Sequence, residues 1–116
     1  MQEPLTLYKL IILYMLARVD FPLTRIQINN FLLGREYTTN FLNIQQAMGE
    51  LIDDGLVLSQ SVRNRSHLSL TDEGRKMLNF FQNDIHHGIR EDIDSYLKEN
   101  AFELRNENSV LADYQK

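Results

Sequence analysis

The segment from Leu5 to Val19 constrains this chain more than any other. Tyr8, Ile11, Ile12, Met15, Leu16 and Val19 recur at helical spacing, and Leu10, Leu13 and Tyr14 fill the remaining faces with apolar side chains. A helix apolar nearly all round has no face to give to water and must be covered on both sides. In a chain of 116 residues, the second cover is either a partner subunit or the chain's own C-terminal helix. The longest unbroken apolar run, Leu10 to Ala17, is too short to cross a bilayer. Glu3 stands where a leader would carry basic residues, and no small-residue cleavage site follows, so the run does not read as a signal peptide. The length fits one domain, and a hydrophobic content of 43% is enough for one core.

Asp20-Phe21-Pro22-Leu23 ends the first helix and supplies a short extended bridge. Thr24 to Gln27 has capping-box spacing, which opens a second helix with Ile28, Phe31 and Leu32 on its apolar face. Gly34 closes it at a C′-type position. Arg35 to Leu42 is a connector. A third helix is predicted from Asn43 to Asp54, because Ile44, Ala47, Met48, Leu51 and Ile52 fall at i, i+3, i+4, i+7 and i+8. Its other face carries Asn43, Gln46, Gly49, Glu50 and Asp53, and Gly55 stops it. Leu56 to Val62 reads as a strand, Arg63-Asn64-Arg65-Ser66 as a polar turn, and His67 to Leu70 as the returning strand, which makes a β-hairpin.

Thr71 caps the next helix, with Asp72 and Glu73 in its first turn, where the helix dipole favours negative charge. The helix is expected to run on toward Asn100, with Gly88 as a weak point. Leu78, Phe81, Ile85, Ile89, Ile93 and Leu97 recur every three or four residues along it. A stripe that long suits packing against a twin, and these six residues are the expected dimer interface. In the tail, Phe102 and Leu104 alternate, as do Val110, Ala112 and Tyr114, a pattern that fits short strands.

The formal charge of −4 lies entirely after Leu70. Up to that point six basic residues balance six acidic ones, so a neutral N-terminal half precedes an acidic C-terminal half. The chain has no cysteine, which removes disulfides and thiolate chemistry and fits a reducing cytoplasm. His86 and His87 point about 100° apart on a helix and cannot chelate as a pair. Asp84, His87 and Glu91 share a face, but that set reads as a solvated charged surface. No nucleophile–base–orienter set and no phosphate-cradling glycine loop is present, so neither a catalytic site nor a cofactor or metal site is expected.

The order helix, bridge, helix, helix, hairpin, helix resembles the winged helix-turn-helix. Gly55-Leu56-Val57 and Leu70-Thr71-Asp72-Glu73-Gly74-Arg75 are similar to the matching junctions of MarR-like and PadR-like regulators. Four further segments, Pro4 to Leu10, Asp20 to Thr24, Gln45-Gln46-Ala47 and Arg90 to Ile93, resemble a bacterial winged-helix family catalogued as a domain of unknown function. So does the tail from Glu103 through Tyr114. The resemblance implies a mainly α (α+β) fold, with a winged helix-turn-helix domain over residues 1–75, a dimerisation helix over 76–100 and a tail over 101–116. It further implies a β-rich segment beyond the tail.

With that fold, the third helix is the expected DNA recognition helix. Asn43, Gln46 and Gly49 lie on its outward face, approached by Thr38, Thr39 and Asn40. Asn and Gln suit adenine edges, and Gly49 allows a close backbone approach. Arg63, Asn64 and Arg65 of the wing, with Arg25 and Arg35, are the expected phosphate contacts. The function implied is a cytoplasmic transcriptional regulator that binds double-stranded DNA as a homodimer. The acidic charge and a third helix free of Lys and Arg keep open a second reading, a protein–protein adaptor that does not bind DNA.

Overall fold

The computed structural model describes residues 4–108. Helix α1 spans Pro4–Ala17, and strand β1, Leu23–Thr24, follows the Pro22 break. Helices α2, Arg25–Gly34, and α3, Phe41–Asp53, precede strands β2, Val57–Val62, and β3, Arg65–Leu70. Then come α4, Asp72–Phe81, a single 3-10 turn, Gln82–Asp84, α5, His87–Glu99, and α6, Ala101–Asn108. The sheet is antiparallel in the order β1-β3-β2. The short bridge foreseen before Thr24 is its edge, pairing Leu23 with Leu68 and Thr24 with His67. This is the winged-helix fold.

Local chemistry sets the element ends. The Thr24 side chain accepts the Gln27 N–H at 3.1 Å while the Gln27 side chain accepts the Thr24 N–H at 3.0 Å, which completes the capping box. Helix α2 does not end on a glycine in the left-handed region, as Gly34 suggested. Gly34 stays helical, and Glu36 takes φ 61° instead. The Tyr37 and Glu36 N–H groups then reach back to the Leu32 and Leu33 carbonyls, and the Phe31 and Tyr37 rings meet at 5.5 Å. Those two bonds plus an apolar clasp outweigh the cost of a left-handed glutamate. Gly55, at φ 76°, closes α3 in the same way, with Leu56 N–H on the Leu51 carbonyl.

Helix α1 is covered from every side, and by its own chain. Leu10 to Leu16 are all buried against α3, α4, α5 and β3. The long C-terminal helix predicted from residue 71 to 100 is therefore not continuous. After the 3-10 turn, Ile85 takes an extended conformation, and the His86 ring caps α5 by accepting the Gly88 N–H at 3.0 Å. The break lets α5 return across α1. Leu78, Ile85, Ile93 and Leu97 are buried in the common core, so the stripe is spent within the chain.

Aromatic and charged contacts then pin α5. The Phe31 and Tyr96 rings pack edge-on at 4.9 Å, and the Arg35 guanidinium lies over Tyr96. Arg35 pairs with Asp92 at 2.7 Å, and the Tyr37 hydroxyl donates to the same carboxylate at 2.7 Å. Burial and that carboxylate push the Tyr37 phenol well above its ordinary value. The start of the tail is helical, not extended. Leu104 is buried, its carbonyl accepts from the Gln27 side chain at 3.4 Å, and Arg105 pairs with Asp20 at 2.6 Å. Val110, Ala112 and Tyr114 lie outside the described residues.

The junction into α4 is the tightest point of the fold. The Thr71 hydroxyl donates to the Gly55 carbonyl at 2.7 Å and accepts the Gly74 N–H at 3.0 Å. A Cβ on Gly74 would sit 2.1 Å from the Leu56 carbonyl oxygen. Backbone cannot yield as a side chain does, so G74A is expected to cost about 3 kcal/mol, the upper range for overpacking. Urea unfolding measures this, and a loss under about 1 kcal/mol would mean that α4 does not cross Leu56 this closely.

Candidate nucleic-acid interface

Helix α3 begins two residues earlier than its apolar spacing suggested, because Asn40 is its N-cap. The Asn40 side chain accepts the Leu42 N–H at 2.9 Å. Phe41 and Leu42 thereby join the helix and stand exposed, Leu42 at 70%. Ile26 of α2 is exposed as well. Periodicity misses this apolar end because Phe41 and Leu42 precede the amphipathic pattern and read as connector.

The outward face of α3 carries what the sequence placed there. Asn43 is half-buried, Gln46 is exposed, and the position of a Gly49 Cβ opens into free space. Two neighbours hold this face in place. Arg25 donates to the Gln45 side chain at 3.3 Å, which ties the start of α2 to α3. Lys9 of α1 pairs with Glu50, and Gln46 donates to the other Glu50 oxygen at 3.0 Å. Lys9 first, and Gln46 second, hold the Glu50 carboxyl below its ordinary value. The Glu50 carboxylate on this face is thus balanced by a cation from α1.

The wing is tighter than a four-residue turn. Val62 pairs with Arg65, which leaves Arg63 and Asn64 as a two-residue loop with φ 52° and 67°. Those angles give a type I′ turn, whose twist matches the two strands. Asn tolerates the left-handed region, whereas Arg is held there at a cost of order 1 kcal/mol. Arg63, Asn64 and Arg65 are all exposed at the tip.

Two of the expected DNA contacts are placed elsewhere. Arg35 is committed to Asp92 and Glu99 of α5, so it holds α5 in place. Thr38 is buried, and its hydroxyl accepts the Asn40 N–H at 3.1 Å, so it shapes the turn before α3. Thr39 is exposed beside it. Of the expected dimer stripe, only Phe81 is exposed. Ile89 is half-buried against the core, and Met77 and Phe80 lie exposed near Phe81. His87 pairs with Glu91 at 3.1 Å, and no group of three metal-ligating side chains occurs among the described residues. Nor, among them, is any helix long and apolar enough to cross a membrane.

A family model described as "Domain of unknown function (DUF4364)" matches residues 8–116. No curated protein matches the chain. Among solved structures the fold is similar to "SSV1 F-93", with a TM-score of 0.51 and 15% identity over 78% of this chain and 91% of that one. It is also similar to a MarR transcriptional regulator from Methanosarcina mazei Go1, with a TM-score of 0.50 and 20% identity over 93% of this chain and 68% of that one. At these identities the likeness establishes the fold.

The Lys9–Glu50 pair has a direct readout. With its folded-state pKa lowered, Glu50 contributes stability above the unfolded value and loses it as pH falls through the folded one. Carbon-detected NMR titration is expected to find Glu50 protonating below the ordinary glutamate value, and K9M to move it back toward that value. A Glu50 unmoved by K9M would mean that Lys9 does not balance it.

Proposed function

The chain belongs to the DUF4364 family, and we propose that it is a DNA-binding transcriptional regulator. The observation that carries this reading is the outward face of α3. It offers Asn43 and Gln46 beside the open Gly49 position, on a helix whose inner face is fully committed to the core. Such a helix fits the major groove, where amide side chains pair with adenine edges. The exposed Leu42 offers an apolar contact for thymine methyl groups on this reading. Arg63 and Arg65 contact phosphates or the minor groove from the wing, and Arg25 braces α3 through Gln45.

The protein acts as a homodimer on this reading, because a single winged helix binds weakly and a two-fold pair multiplies its avidity. The second copy meets Phe81 and its exposed neighbours Met77 and Phe80, with the rest of the expected stripe lying inside the monomer. Residues 1–75 carry the DNA-reading unit and 76–100 the partner-facing one. The division is one of role, since both share a core. The protein works in the cytoplasm, needs no cofactor and catalyses no reaction.

A second reading rests on one observation. Ile26, Phe41 and Leu42 expose apolar surface at the start of α2 and α3, and α3 itself has no Lys or Arg. That surface suits a protein adaptor better than it suits phosphates.

Binding to random genomic duplexes at rising salt separates the two, using protein whose mass in solution is known. The parent is expected to bind as a dimer with a steep salt slope and to enrich one sequence. The R63A/R65A double variant is expected to weaken binding to all sequences and to reduce the slope by about 2, roughly one for each phosphate left without its arginine. A variant that binds like the parent removes the wing from the interface. No binding even at low salt moves the function to the adaptor.

A further inference from the structure

A second charged site is built from residues other than those proposed to meet DNA. Arg18 at the end of α1, Arg75 on α4 and Arg90 on α5 line one cavity of about 360 Å3, together with the Asn79 and Gln82 amides. The chain carries a net charge of −4, yet three arginines, one just past α1 and two on α4 and α5, line this one cavity. One carboxylate answers them. Asp94 accepts from the Arg18 Nε at 3.1 Å and is shared with the Tyr14 hydroxyl. Among the described residues neither Arg75 nor Arg90 has an ion-pair partner. The Arg90 Nε is buried and has no hydrogen-bond acceptor among the described residues.

A buried guanidinium N–H without an acceptor is costly, and three like charges around one cavity add repulsion to that cost. Both costs fall when an anion enters. We propose that this cavity is a binding site for a small dianion of the phosphate or carboxylate class. Guanidinium forks bind the oxygens of either group in pairs, and the two amides offer further donors. The volume is at the low end for ligand sites, which suits a small phosphorylated or dicarboxylic compound. The occupant joins the end of α1 to α4 and α5 across the 3-10 turn. The site stands on these residues alone and does not depend on the DNA reading.

Calorimetric titration with inorganic phosphate, and separately with malonate, tests it at ionic strength held constant with chloride. One saturable site is expected for at least one of the two, with a matching rise in Tm. Which of them binds tells a phosphate site from a carboxylate one. R75Q and R90Q are each expected to weaken binding by about tenfold, the equivalent of one charge-assisted hydrogen bond. R75Q alters an exposed side chain and keeps the test valid if R90Q fails to fold. Heats and Tm values no different from those in chloride would overturn the proposal, as would an R75Q variant that binds the anion like the parent. Loss of DNA affinity in R75Q in phosphate-free buffer would assign these arginines to a duplex backbone and overturn it equally.

Discussion

Helix α1 gives no face to water between Leu10 and Leu16, and the rest of the molecule is arranged to cover it. Helix α3 covers it from one direction, while α4, α5 and β3 close the others. The break after Phe81 follows from this demand. A straight continuation of α4 would carry Ile85, Ile93 and Leu97 away from α1, whereas one 3-10 turn and an extended Ile85 bring them back onto it. The helix hydrogen bonds given up at the break are partly recovered by the His86 cap, and burial of the three side chains outweighs the remainder.

The same centre determines what the surface can do. With its inner face fixed on the core through Ile44, Ala47, Met48 and Leu51, α3 turns Asn43, Gln46, Gly49 and Glu50 away from α1's apolar side, with Phe41 and Leu42 exposed at its start. Charge follows the same scaffold. Lys9 projects from α1 to balance Glu50, and Arg18 leaves the end of α1 to meet Asp94. Lys9 and Arg18 thus each tie α1 to another element, whereas Arg63 and Arg65 stand exposed at the wing tip.

What the sequence disclosed follows from how local each signal is. The capping box at Thr24, the stop at Gly55 and the cap at Thr71 depend on residues within four positions of one another, and all three form as their spacing suggested. The order of helices and hairpin needs only periodicity. The stripe from Leu78 to Leu97 misleads because periodicity reports that a face is buried without saying by what, and α1 is the hidden partner. Arg35 and Thr38 mislead for a related reason. Their roles depend on Asp92, some fifty residues on, and on a turn set by Glu36 at φ 61°. The start of α3 escapes the spacing argument because the Asn40 cap adds Phe41 and Leu42 before the amphipathic pattern begins. The tail alternates like a strand, but Leu104 is buried as part of a helix held by Gln27 and Asp20.

On the proposed reading the outward face of α3 meets DNA. Backbone amide NMR of the intact protein, titrated at low salt with a duplex taken from the enriched genomic fragments or, failing enrichment, a random one, tests it most directly. The expected result is that the amides of Asn43, Gln46 and Gly49 shift together with those of Arg63 to Arg65, while α6 stays silent. Shifts that leave α3 and the wing untouched, or no shift at all, would contradict the claim.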